Sequence, residues 1–339
     1  MYNTTQDTAL FSGRLVFPWL QFLLFTVITG SLLASGGRSN ETTDQIFLLL
    51  RANAATPSAP PPYRVVNHTD GLYQAEYGFL NFNNDRLALT FALPESDLTD
   101  YLQGYGYFEQ ELEDLNLWQQ QALDDAYNYA VKNRLGQNDL NQMGEKIQQE
   151  YAEKFETFLN ERGFRFLDEN LLVADIPSIV SRNVRKLQPV ALDLARIAEE
   201  RGYGAYEIVS AALALVQTSL AYEEIPLDVA GRQTGGVAPP LEALAQGKGD
   251  CDSKTALLAS ILLNWEQIRL VGVGVPGHYL MGVMRQPGKG EAYVEYEGNP
   301  YVLIEPAGPA WLPPGHVGPT TIELLNSGNA LMLEPFDVM

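Results

Sequence analysis

The stretch from Gly247 to Ile261, GKGDCDSKTALLASI, limits most strongly how this chain can fold. Two glycines and Asp250 precede a run from Ala256 to Leu263 in which seven of the eight residues are alanine, leucine or isoleucine. Asp250 is a suitable N-cap, so a helix is expected to begin beside it. A helix that is apolar on all sides must be buried. The sequence therefore predicts a buried helix around which the other elements pack.

Cys251, the only cysteine among 339 residues, falls at the start of this predicted helix. The partial positive charge of a helix N-terminus favours a thiolate, which makes Cys251 a candidate nucleophile. The preceding glycines would let a substrate backbone come close. A lone cysteine is as commonly a buried core residue, so Cys251 alone leaves both interpretations open. It also excludes an internal disulfide and any multi-cysteine zinc site.

Composition narrows the class of protein further. The 339 residues are enough for about two domains, and a composition of 46% hydrophobic and 19% charged residues is typical of a globular protein. Its formal net charge of −20 argues against nucleic acid as a partner and against electrostatic attraction to anionic lipids. No EF-hand-like loop is present, although a structural calcium ion among the carboxylates stays open. We predict no cofactor and no metal in the site.

Residues 15–35, LVFPWLQFLLFTVITGSLLAS, form an uncharged run of 21 residues. As a helix, this run is long enough to cross a bilayer core of about 30 Å. It is either a signal anchor that stays in the membrane or a signal peptide cleaved near residues 34–36. A buried soluble helix is the third alternative. We predict a protein that is membrane-anchored through residues 15–35 or exported, with its folded part outside the cytoplasm.

The remaining chain divides by its patterns. Two stripes of apolar residues at helical spacing predict a helical hairpin over residues 107–162. Strand patterns follow the cysteine helix at residues 268–275, 278–284, 291–296 and 301–306, with turn residues between them. The predicted fold class is α+β. The predicted units are 1–36 (signal anchor or signal peptide), 37–64 (flexible linker), 65–180 (strand hairpin plus helical region) and 181–339 (α+β domain).

A nucleophilic thiol needs a base, and the base needs a partner that orients it. The chain has three histidines, and His278 opens a predicted strand 27 residues after Cys251. Glu305 ends the strand VLIE a further 27 residues on. A carboxylate that closes a buried strand is costly unless it is paired. Glu305 is therefore the natural partner for the His278 ring.

These motifs resemble the transglutaminase-like superfamily of papain-type cysteine enzymes. The similarity lies in GKGDCDSKTALLASIL, VPGHYLMGV and YVLIEPAG, in that order, and covers residues 185–310. It implies a nucleophile helix packed on an antiparallel sheet, preceded here by a mostly helical region. It also implies that Cys251 is the nucleophile, His278 the general base and acid, and Glu305 the orienting residue of a catalytic triad in domain 181–339. The family more often has aspartate at the third position.

Such a site needs donors for an oxyanion. The backbone N–H of Cys251 is one candidate. Gln217 and Tyr222, which precede the cysteine stretch, are auxiliary side-chain candidates, and Gln233 is a further one. An ordinary helix-surface glutamine is the alternative interpretation of Gln217.

Three functions are compatible with this pattern. The first is a hydrolase, a transglutaminase-like cysteine peptidase acting on protein or peptide amides. The second is a protein cross-linking transglutaminase, in which an amine replaces water as the acceptor. The third is a non-catalytic module of the same fold that binds a partner.

Overall fold

A computed structural model describes residues 62–168, 171–327 and 331–336, except for the side chains of residues 101–103. The predicted membrane segment and nearly all of the predicted linker lie outside the described residues. Within those residues, no helix has both the length and the apolar character needed to span a membrane. The first strand begins at Tyr63, so the last two residues of the predicted linker belong to a strand.

The first half of the described chain combines a small sheet with a long helical hairpin. Its elements are β1 (Tyr63–Thr69), β2 (Leu72–Leu80), β3 (Arg86–Pro94), α1 (Glu95–Gly104), β4 (Tyr107–Phe108), α2 (Glu109–Asn133), α3 (Gln137–Glu161), β5 (Phe164–Asp168), β6 (Leu171–Ala174) and α4 (Ile176–Asn183). In β3, buried and exposed side chains alternate, as expected for a strand with one face on the core. The helical hairpin predicted over residues 107–162 is formed by α2 and α3.

The second half carries the segments that concern the site. Its elements are α5 (Gln188–Arg201), α6 (Ala205–Ser219), β7 (Ala221–Tyr222), β8 (Asp228–Val229), β9 (Arg232–Gln233), α7 (Pro240–Gln246), β10 (Lys248–Gly249), α8 (Cys251–Leu262), β11 (Leu270–Val275), β12 (His278–Met284), β13 (Tyr293–Tyr296), β14 (Asn299–Ile304), α9 (Pro319–Asn326) and β15 (Met332–Pro335). The described chain is thus a mixed helix-and-sheet protein, in agreement with the predicted α+β class.

The larger sheet in the described residues has five strands in the order β13-β14-β12-β11-β15. All of its neighbouring strands are antiparallel. A tight turn joins β11 to β12, so that Val275 pairs with His278. On the other side of β12, Met281 pairs with Ile304 of β14. The sheet therefore places the start of β12 next to the residues that follow β14.

Helix α8 is the central helix that the sequence predicts. Every residue from Asp252 to Leu262 is buried. The helix packs against β12 on one side and against α4, α6 and α7 on others. Thr255 of α8 also donates a hydrogen bond to the carbonyl of Tyr279 in β12, at 3.3 Å. The position of the helix against the strand is therefore set by both packing and a polar contact.

The buried side chains of the described residues form three clusters. The main cluster runs from Tyr73 in β2 to Phe336 beyond β15, and so draws on both of the predicted units 65–180 and 181–339. A second cluster, which includes Leu280 and Leu303, covers the sheet face opposite α8. A third cluster lies at the base of the α2–α3 hairpin around Leu159.

Candidate active site

The start of α8 positions the candidate nucleophile. Asp250 is the N-cap, and its Oδ1 accepts a hydrogen bond from the Ser253 backbone N–H at 2.9 Å. Cys251 is then the first helical residue and is half-buried. The backbone N–H of a residue at this position has no carbonyl partner within its own helix. The Cys251 N–H is thus available as a donor.

The two glycines before Cys251 have structural reasons that differ from the prediction. Gly247 ends α7 with a left-handed backbone at φ 72°, which few other residues adopt readily. Gly249 is buried, and a Cβ there would lie 2.9 Å from the Cβ of Ser253. The expectation that these glycines let a substrate backbone come close stays a prediction. They allow the chain to turn tightly into α8.

His278 and Glu305 form a direct pair. The His278 Nε2 lies 2.9 Å from Oε1 and 3.0 Å from Oε2 of Glu305. Thr321 at the start of α9 donates a hydrogen bond to Oε2 at 2.8 Å, and the backbone N–H of Ala307 donates another to this carboxylate. Glu305 is only 5% exposed, so these partners replace the water that the charge loses. The structure thus brings together the two residues that the sequence pairs.

The thiol of Cys251 lies beside the start of β12. The backbone N–H of Tyr279, the residue after His278, donates a hydrogen bond to the Cys251 sulfur. The thiol itself donates a hydrogen bond to Oδ2 of Asp252, with 3.7 Å between the sulfur and the oxygen. Because Glu305 engages Nε2 of His278, Nδ1 is the ring nitrogen that stays free of hydrogen bonds within the described part of the chain. Nδ1 is therefore the nitrogen available for proton transfer.

The protonation of Cys251 differs from the expectation drawn from its helix start. Burial, and then the charges of Asp252 and Asp250, raise the pKa of the thiol well above its ordinary value. The Tyr279 N–H acts in the opposite direction but does not offset them. A helix N-terminus carries only about half of a unit charge, which is less than two nearby carboxylates. In the resting protein Cys251 is therefore held as a thiol.

Pairing governs the charges of His278 and Glu305. Burial alone lowers the pKa of His278, but Glu305 and Asp252 outweigh it, so that the pKa lies above 6.5. Burial alone raises the pKa of Glu305, but His278, Thr321 and Ala307 outweigh it, so that the pKa lies below 4.5. Between these values the pair is imidazolium and carboxylate.

The two auxiliary candidates have different outcomes. Gln217 is fully buried, and its Nε2 donates to the carbonyls of Glu305 at 2.5 Å and Leu312 at 3.0 Å. Its Oε1 accepts from the Leu312 N–H at 3.0 Å. Both amide protons are thus used by the backbone. The prediction of Gln217 as an oxyanion donor is therefore replaced by a structural role, in which it holds the segment after β14.

Tyr222 lies near the thiol, as the sequence suggested for an auxiliary residue. It pairs in register with Gly249, because β7 and β10 are parallel neighbours. Burial, followed by the proximity of Cys251 and Asp250, raises the pKa of the Tyr222 hydroxyl. Tyr222 therefore keeps its hydroxyl proton at neutral pH. Gln233, by contrast, belongs to β9, where it pairs with Tyr107, and its amide binds Asp228 at 3.1 Å.

The sequence reasoning missed two residues of α8 that the structure places in or beside the site. Asp252 is buried, and its carboxylate accepts the hydrogen bond of the Cys251 thiol. Lys254 is completely buried, with its Nζ donating to the carbonyls of Leu220 at 2.8 Å and Ala307 at 2.9 Å. Their unusual position could have been recognised from the sequence, because both charged residues belong to a helix that is predicted to be buried on every side.

No family model, no curated protein and no solved structure matches this chain. Among residues 62–168, 171–327 and 331–336, no group of three or more histidine, cysteine, aspartate or glutamate side chains is arranged to hold a metal ion. The interpretation of the site consequently depends on its own geometry.

Proposed function

We propose that this protein is a cysteine-dependent acyltransferase acting on protein or peptide amides, with water as the acceptor. The observation that carries the proposal is the hydrogen-bonded pair of His278 and buried Glu305 at the start of β12, where the backbone N–H of the next residue, Tyr279, meets the Cys251 sulfur. A thiol, an imidazole and an orienting carboxylate are the three groups that nucleophilic acyl transfer requires. The helix and sheet that carry them support assignment to a papain-type, transglutaminase-like fold.

The proposed reaction begins with proton transfer from the thiol. The neutral imidazole of His278 takes the proton at Nδ1 while the sulfur attacks the amide carbonyl carbon. Glu305 holds the ring through Nε2 and stabilises the imidazolium that forms. The imidazolium then gives the proton to the leaving amine, and an acyl-thioester remains on Cys251. Water hydrolyses this thioester, with His278 as the base, and restores the thiol.

The carbonyl oxygen becomes negative during attack, so it needs donors. The Cys251 N–H at the start of α8 supplies one. The Tyr222 hydroxyl, on strand β7 beside the segment that enters α8, is the side-chain donor that we propose in place of Gln217. Its raised pKa keeps the proton on the hydroxyl at neutral pH.

The first test measures how fast iodoacetamide alkylates Cys251 in the full-length chain as the pH is raised. Because Cys251 is the only cysteine, all labelling reports this thiol. We expect His278→Ala to slow alkylation near neutral pH by about tenfold or more, since the proton acceptor is lost. His316→Ala, at an exposed histidine, is the matched control and should leave the rate unchanged. A rate that follows an ordinary thiol and does not respond to His278→Ala would refute the catalytic proposal.

A second test separates hydrolysis from cross-linking. The full-length chain is incubated with a glutamine-containing protein and a fluorescent primary amine, and the products are analysed by mass spectrometry. We expect peptide-bond or side-chain amide hydrolysis without incorporated amine. Incorporation that depends on Cys251 would instead assign the chain to the cross-linking class. Binding without turnover in either assay would favour the non-catalytic module.

A further inference from the structure

Lys254 is a charged residue at a position where an apolar side chain would be expected. It lies three residues after Cys251, about one helical turn along α8, and is 0% exposed. An ammonium group loses its hydration when it is buried, and this cost is offset only by well-placed acceptors. Replacing a buried charge by an apolar side chain of similar volume is often neutral or stabilising. Stability alone therefore does not explain a lysine at this position.

The acceptors of Lys254 supply that reason. One is the carbonyl of Leu220 at 2.8 Å, directly before β7, which carries Tyr222. The other is the carbonyl of Ala307 at 2.9 Å, in the segment that follows β14 and carries Glu305. A single side chain of the nucleophile helix thus holds both segments that bring auxiliary groups to the thiol.

The contact with Ala307 reaches the Glu305 carboxylate in one further step. The backbone N–H of Ala307 donates to that carboxylate, while its carbonyl accepts from Lys254. Gln217 holds the same segment from α6 through the carbonyl of Glu305 at 2.5 Å. The carbonyls of Glu305 and Ala307 are therefore both held, and Lys254 links this segment to the helix that carries Cys251.

A carboxylate at the start of the same helix stabilises the positive charge of Lys254. Asp250, the N-cap, is the carboxylate that favours the ammonium form. Burial lowers the pKa of Lys254 to about 7, although the charge of Asp250 raises it in part. The amine keeps at least two N–H donors in either protonation state, so both carbonyl contacts persist across neutral pH.

We propose that Lys254 is a positioning residue that fixes Glu305, and through it the His278 ring, relative to Cys251. The proposal rests on the acyl-transfer function proposed above. It can be tested separately, however, because the pKa of His278 in the His278–Glu305 pair can be measured without any substrate or turnover.

The test is an NMR titration of the full-length chain labelled with ¹³C-histidine, comparing wild type with Lys254→Met. The chain has three histidines, and His278→Gln assigns the resonance of interest. If Lys254 positions Glu305, the substitution loosens the pair, and the pKa of His278 falls by about one unit. If the substitution only removed the positive charge of Lys254 and Glu305 did not move, the pKa of His278 would rise instead.

The matched control is Ser260→Ala. Ser260 is also fully buried on α8 and donates to the carbonyl of Ala256 at 2.8 Å, but it lies at the far end of the helix. This variant should leave the pKa of His278 unchanged. If Lys254→Met does not fold, Lys254→Gln, whose shorter amide retains one donor group, is titrated in its place with a smaller fall expected. A His278 pKa that is unchanged or raised in the folded variant overturns the proposal.

The two proposals fail in different ways. An unreactive Cys251 together with a lowered His278 pKa in Lys254→Met would refute acyl transfer and retain the positioning role. A reactive Cys251 together with an unchanged His278 pKa would retain acyl transfer and leave Lys254 as a packing residue only.

Discussion

At the scale of single residues, the site is organised by charge. Cys251 has the carboxylates of Asp252 and Asp250 close to it, and His278 has that of Glu305. Nearby carboxylates affect the two groups in opposite ways, because they disfavour a thiolate at Cys251 but favour an imidazolium at His278. The Cys251 thiol therefore keeps its proton in the resting protein, while the pKa of His278 lies above its ordinary value.

Asp252→Asn should lower the pKa of the Cys251 thiol, because it removes the negative charge that raises this pKa most. We expect the midpoint of the alkylation rate against pH to move downward and the rate at neutral pH to increase. Asp250→Asn is the comparison, since asparagine still caps the helix. Its effect should be the smaller of the two. Slower alkylation in Asp252→Asn would mean instead that this carboxylate accepts the thiol proton.

The His278–Glu305 pair should make stability depend on pH with a defined sign. The pKa of His278 is raised on folding, so its contribution is complete below 6.5 and is lost as the pH rises through the folded value. The pKa of Glu305 is lowered on folding, so its contribution is complete above 4.5 and is lost as the pH falls through the folded value. The pair therefore stabilises most between these two pH values.

Melting temperatures of wild type and Glu305→Gln across this range provide the measurement. The difference should be largest between pH 4.5 and pH 6.5 and should shrink as the pH rises further. Glu266→Gln, at an exposed glutamate, should show no such window. A constant difference across all pH values would argue that Glu305 contributes packing rather than charge.

At the scale of elements, the α2–α3 hairpin has its own small core. Tyr151, Phe155 and Leu159 of α3 pack with Phe164 of β5 in a cluster separate from the main one. The hairpin is also held by polar contacts, including one from the Tyr151 hydroxyl to Asn116 at 2.7 Å. Much of its remaining surface is exposed and charged, which is typical of a helical pair that packs along one stripe only.

Leu159→Ala should destabilise the protein by about 2–5 kcal/mol, because Leu159 is 1% exposed and the substitution leaves a cavity. Urea denaturation measures this free energy. Leu117→Ala, at a leucine that is 51% exposed in the same hairpin, should change it by less than about 0.5 kcal/mol. Alkylation of Cys251 in folded Leu159→Ala should match wild type. A changed rate would show that the hairpin influences the site.

At the scale of the whole molecule, contacts distant in sequence join the described chain into one unit. The main cluster takes residues from β2 to the segment after β15. The Tyr279 hydroxyl donates to Glu334 of β15 at 2.9 Å, and Arg165 of β5 forms an ion pair with the same glutamate. The small sheet, the helices and the strand that carries His278 therefore depend on each other.

Leu89→Ala, at a fully buried residue of β3, should weaken the whole described unit rather than the small sheet alone. We expect a loss of about 2–5 kcal/mol and a single unfolding transition. Far-ultraviolet circular dichroism and tryptophan fluorescence should give the same midpoint. Thr90→Ala, at the exposed neighbouring position, should leave the midpoint almost unchanged. Two separated transitions would show that the small sheet unfolds independently.

Local patterns in the sequence were sufficient for much of the fold. The cap at Asp250, the helical stripes of α2 and α3 and four of the five strands of the larger sheet, all but β15, are determined by neighbouring residues, because capping and periodicity act over a few positions. The pairing of His278 with Glu305 was also predictable, since a carboxylate at the end of a buried strand needs a partner.

The tertiary structure alone decided what depends on distances between remote segments. Gln217 could not be recognised as a backbone clamp, because its partners lie beyond β14, nearly a hundred residues later. In the sequence, Lys254 is one polar residue of a largely apolar helix. Its two carbonyl acceptors come from distant segments and are known only from the structure. The pKa of Cys251 depends likewise on which carboxylates are buried beside it. Burial and charge proximity arise from packing, and packing is a property of the whole fold.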